Sequence, residues 1–122
     1  MKSQEFSIRD RIRSFRFAWE GIASFFLHEH NAWLHFMATV AVCTLSALVG
    51  VTKNELVALV FAIGFVWVSE MFNTCFERVM DFVSPQRHPH IKFIKDLAAG
   101  AVLIAAITAV IIGGVVFIPK LF

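Results

Sequence analysis

Three apolar runs, covering residues 32–49, 56–68 and 97–118, set the terms on which this chain can fold. The first, interrupted only by His35, Thr39, Thr44 and Ser46, would be about 27 Å long as a helix, near the thickness of a bilayer's hydrocarbon core. Lipid offers no partner to a backbone N–H or C=O, so such runs cross a membrane as helices, which pair those groups internally. With 58% hydrophobic and 16% charged residues among 122, the chain is too apolar for a soluble domain of its size. It reads as a single all-α integral membrane domain, with transmembrane helices over 32–49, 54–83 and 96–118 and a surface helix over 7–27. Three spans enclose little volume, so a sizeable active site would draw on neighbouring copies. The first thirty residues lack the continuous apolar core of a cleavable signal, which leaves the first span to direct insertion.

The second span turns ionisable on one side only. At about 100° per residue, Glu70, Asn73, Thr74, Glu77 and Asp81 fall within one stripe, while Met71, Phe72, Val79 and Met80 keep the rest of the circumference apolar. Carboxylates in a membrane helix are costly beside lipid and belong against protein or water. Such groups hold hard cations or accept protons. A polar stripe simply meeting water at the interface is the plainer alternative.

In the helix over 7–27, Ile8, Ile12, Phe15, Trp19, Ile22 and Phe26 recur at steps of three and four, with Arg9, Arg13, Arg16 and Glu20 on a separate flank. A basic, aromatic-rich amphipathic helix suits the headgroup plane, although packing on protein would use the same stripe. Phe17 sits opposite that stripe, so lipid insertion does not account for it; an exposed aromatic there can stack on a nucleobase. His28, His30 and His35 do not share a helical face at ligand spacing, which argues against a zinc site. Cys43 and Cys75 read as packing residues.

Ser84-Pro85 ends the second span, because proline disfavours helical geometry in the residue before it. The hairpin Gln86-Arg87-His88-Pro89-His90 then leads to Lys92, Lys95 and Asp96. Basic groups here match the arginines of the N-terminal helix, whereas the other connection carries only Lys53 beside Glu55. The positive-inside rule therefore puts the N-terminus and this second loop on the cytoplasmic side. Ala98-Ala99-Gly100-Ala101 permits close approach of another backbone near Asp96. No phosphate-binding glycine loop, dinucleotide fingerprint or protein-kinase signature occurs. A net charge of +2 gives no reason to expect a nucleic-acid partner.

Together, Glu70, Asn73-Thr74, Glu77, Asp81, the Ser84-Pro85 to His88-Pro89 hairpin and Lys95-Asp96 through Val102-Leu103 make the chain resemble the prokaryotic diacylglycerol kinase and undecaprenol kinase family of small membrane lipid kinases. The likeness runs from Ser14-Phe15 to the third span. It implies a homotrimer in the bacterial cytoplasmic (inner) membrane that transfers phosphate from ATP to a lipid alcohol, either diacylglycerol or undecaprenol, with Mg²⁺. It further implies that Glu70 is the general base, and that Glu29 and Glu77 share the nucleotide-bound Mg²⁺. Phe17, Gln86, Arg87, His88, Lys95 and Asp96 would contact the nucleotide, with Asp96 also able to orient Lys95. Asn73 and Asp81 would support the site, and Trp19 and Ala99 would meet the lipid beside Glu70. Where the family often has Arg, this chain has His30. A non-enzymatic ion-conducting or scaffolding subunit would use the same acids, but gives no role to Lys95-Asp96 or Phe17.

Overall fold

The computed structural model describes residues 5–122, and every regular element among them is a helix. In chain order these are α1 (Ile8–His28), α2 (His30–Val49), α3 (Lys53–Val83) and α4 (Pro89–Leu121). Of the four, α2, α3 and α4 are long and apolar enough to cross a membrane. The chain divides after Leu34 into two compact units.

In the first unit, Ser7 caps α1 by accepting from the Asp10 N–H at 3.4 Å, and Asp10 places an acid at the positive end of the helix. The stripe of Ile8, Ile12, Phe15 and Trp19 lies 66–77% exposed, as a helix made for an apolar surface outside the chain would be. Arg16 and Glu20 pair at 3.1 Å on the flank. One residue separates α1 from α2. Glu29 is extended, with φ −118° and ψ 119°; its N–H still bonds the Phe25 carbonyl, while its carbonyl accepts from Ala32 N–H at 3.3 Å. Trp33 fastens this joint, donating its indole N–H to the Phe26 carbonyl at 3.0 Å with its ring edge-on to Phe26.

In the second unit, α2 ends at Gly50, whose φ of +74° lies in the left-handed region that a residue without Cβ adopts freely. A reciprocal capping box then starts α3: Thr52 accepts from the Glu55 N–H, and the Glu55 carboxylate accepts from the Thr52 N–H, both at 3.2 Å. A short turn joins α3 to α4, and the two pack antiparallel. Leu59, Val116 and Phe117 are buried where α3 begins and α4 ends, and Val42, Leu45 and Val49 of α2 pack against them. Ion pairs close both ends of the α3–α4 hairpin, Glu55 with Lys120 at 3.2 Å and Asp81 with Lys95.

The last helix begins at Pro89, earlier than the apolar pattern from residue 96 suggests. Pro89 occupies the first turn, where its missing N–H costs nothing, and the His88 ring caps the helix by accepting from the His90 N–H at 3.1 Å. Nor does Pro119 end it; so close to the terminus it removes one hydrogen bond, and helix continues to Leu121. At 1.5 Å per residue, α3 and α4 run to about 46 and 50 Å, longer than a hydrocarbon core of about 30 Å. Each is therefore longer than a span needs, and α3 carries Glu77 and Asp81 in its last two turns.

Candidate active site

Along α3 the acidic stripe descends from one environment to another. Glu70 is buried at 6% exposure, while Glu77 and Asp81 are exposed. By helix rise, Glu77 lies about 10 Å along the axis from Glu70 and about 6 Å from Asp81.

Glu70 is not alone. Its Oε1 lies 2.8 Å from Nε2 of His35 on α2. A second link runs beside it: Trp67 donates its indole N–H to Thr39 Oγ1 at 2.9 Å, and that hydroxyl donates to the His35 carbonyl at 2.8 Å. The Trp67 ring also stands edge-on to the His35 ring, with centroids 6.3 Å apart. The signal for this cluster was in the sequence, as two polar or amphipathic pairs, 35/39 and 67/70, each on one face of an apolar helix. One turn past Glu70, Asn73 has a buried Oδ1 with no hydrogen-bond partner. In a low-dielectric interior an acceptor of this kind is expensive to leave unmatched.

At the α3–α4 turn, a cleft of about 620 Å³ is lined by Asp81, Gln86, Arg87, His88, Lys95 and Asp96, among others. That volume suits a small-molecule ligand. The cations are held by local acids. Lys95 pairs with Asp81 across the two helices, and Lys92 with Asp96 along one turn of α4. Asp96 thus serves Lys92, and Asp81 orients Lys95; neighbours in a helix sequence point about 100° apart, whereas residues four apart share a face. His88 and His90 stack at 5.3 Å beside the cleft.

The structure therefore brings Asp81, Gln86, Arg87, His88, Lys95 and Asp96 to one cleft, and sets Glu70, Asn73 and Glu77 along one face of α3. Ala99 lies exposed on α4. In the first unit, Phe17 and Trp19 are 59% and 73% exposed on α1, and Glu29 stands at the joint between α1 and α2. Among the described residues, no three His, Cys, Asp or Glu side chains gather as a preformed metal centre.

Residues 16–117 match the family described as prokaryotic diacylglycerol kinase. Over 109 residues the chain is 39% identical to a diacylglycerol kinase of Synechocystis sp., covering 88% of this chain and 62% of that protein. It is 36% identical to an undecaprenol kinase of Bacillus subtilis, covering 89% of both chains. To a diacylglycerol kinase of Haemophilus influenzae the identity is 29%, covering 87% of this chain and 91% of that one. The chain thus spans less than two thirds of the Synechocystis relative but most of the other two.

Proposed function

The chain belongs to the prokaryotic diacylglycerol kinase family, and on that premise we propose that it is a lipid kinase, moving the γ-phosphoryl group of ATP to the hydroxyl of a membrane lipid alcohol. The observation that carries this reading is the position of Glu70: a buried acid in a membrane-length helix, on the same face as Glu77 and Asp81, which lead to a cation-lined cleft. Intramembrane acids are functional by default, because lipid penalises them. Membership in the family supports the same chemistry.

By the family's pattern the ion would be Mg²⁺, which takes hard oxygen ligands and keeps several of its waters. Glu29 and Glu77 would supply carboxylates, and the unmatched Asn73 Oδ1 is an acceptor for a coordinated water. When bound, the ion offsets charge on the nucleotide phosphates. The protein's own residues do the rest. Lys95, held by Asp81, presents its ammonium to phosphate oxygens, and Arg87 adds a planar donor fork at the cleft's rim. Gln86, His88 and Asp96 line the nucleotide's outer edge, and Phe17 offers a face for the base. Glu70 accepts the lipid hydroxyl's proton as that oxygen attacks, while Trp19 and Ala99 meet the lipid. Phosphoryl transfer asks mainly for positioning and charge neutralisation, so this short set of groups is sufficient.

In this reading α1 lies in the headgroup plane, and the N-terminus and α3–α4 turn face the cytoplasm, where ATP is. The protein would sit in the bacterial inner membrane as a homotrimer. The exposed apolar side chains of the spans, Phe61, Phe72 and Val110 among them, then meet lipid or neighbouring subunits. The test is transfer of label from γ-labelled ATP in Mg²⁺-containing membranes, with diacylglycerol and undecaprenol compared side by side. Labelled phosphatidic acid or undecaprenyl phosphate supports the proposal and identifies the acceptor. No labelled lipid from either, with the protein assembled, would overturn it.

A further inference from the structure

Resting on Glu70 as the base, we infer that His35 is its positioning residue: the imidazole donates from Nε2 to Glu70 Oε1, holding the carboxylate in its acceptor form with Oε2 turned to the lipid hydroxyl. The two atoms are 2.8 Å apart, and the side chains are 20% and 9% exposed. At that separation a proton lies between them. If Glu70 is to accept a proton from the lipid it must begin as carboxylate, so the shared proton belongs to His35. A buried carboxylate with no donor would be severely penalised, and the Trp67 indole beside it donates to Thr39. Thr39 and Trp67 in turn fix where the ring sits, one bonding the His35 carbonyl and the other lying against the imidazole. The cluster has the form of a base with a dedicated orienting partner.

The proton count closes without a further reactant. Glu70 Oε2 takes the proton of the lipid O–H as the lipid oxygen bonds to the γ-phosphorus and the bond from that phosphorus to the ADP oxygen breaks. Protonated Glu70 keeps Oε1 as its carbonyl oxygen, so the hydrogen bond from His35 survives the step. Water then receives the proton before the next turnover.

A bond that merely tied α2 to α3 would affect stability but not turnover, and the experiment separates the two. In membranes carrying the full chain, His35→Leu should lower kcat by about tenfold or more, with KM for lipid and for ATP within about twofold. His35→Gln, whose amide N–H reaches the place of Nε2, should recover kcat to within about threefold of the wild type. Nitrogen NMR of the labelled protein, with His35 identified by its disappearance in His35→Gln, should show Nε2 protonated. The inference is overturned if His35→Leu keeps its kcat, if His35→Gln fails as badly as His35→Leu in an assembled protein, or if the proton sits on Nδ1 alone. Glu70→Gln is the reference. Near-normal activity there removes the base and this inference with it. An inactive Glu70→Gln beside a fully active His35→Leu leaves the base standing and sinks His35 alone. Should His35→Leu fail to assemble, the spectrum and the glutamine variant still decide.

Discussion

Glu70 and Lys95 are the side chains whose loss should be felt in chemistry and not in assembly. Glu70→Gln preserves shape and a hydrogen-bonding edge to His35 but cannot take a proton, so kcat should fall by about 10²- to 10⁴-fold with helicity and oligomer size unchanged. Asp81→Asn should act differently. Its pair with Lys95 is solvent-exposed, and such pairs contribute about 0–1 kcal/mol, so the melting temperature should hardly move. The freed Lys95 should instead raise KM for ATP severalfold, read from initial rates over a range of nucleotide concentrations. The residue scale is also where the sequence was only partly legible. The acidic stripe follows from 3.6-residue periodicity, but partners on different helices do not. Lys95 beside Asp96 looks like a unit in one dimension, yet the helix turns them apart and gives Lys95 to Asp81. His35 and Glu70 are 35 positions apart, and nothing local announces that they touch.

At the level of elements, the apolar runs correspond to three helices of membrane length, and end signals did less well. Thr52 and Glu55 form a capping box that a sequence states openly. His88 as a cap does not look like one, since ring nitrogens seldom serve that role, and Pro89 reads equally as a turn or a first helical residue. That ambiguity hid the opening turns of α4. Two substitutions check the account of these ends. Thr52→Ala should lower stability by about 1 kcal/mol, measured by denaturant unfolding in detergent, because one N–H at the start of α3 loses its acceptor. Gly50→Ala should destabilise by about 1 kcal/mol or more, although no atom would obstruct the added carbon, because the left-handed φ itself is the penalty.

For the whole molecule, the physical question is what covers so much apolar surface. A few side chains meet between α2, α3 and α4, and many large apolar side chains of the spans point outward, as suits a protein whose solvent is lipid. Replacing Cys43 and Cys75 and adding one cysteine at Gln86 or at Thr52 should give reagents access from opposite faces of the membrane; labelling of both from the same face would refute the topology. The joint at Glu29 carries a practical warning for work of this kind. Alanine is the strongest helix former, and placed there it would favour helical geometry where residue 29 is now extended. Such a variant would change the backbone at the joint as well as strip its charge, so Glu29→Asn, which keeps a reluctant helix former there, is the cleaner excision.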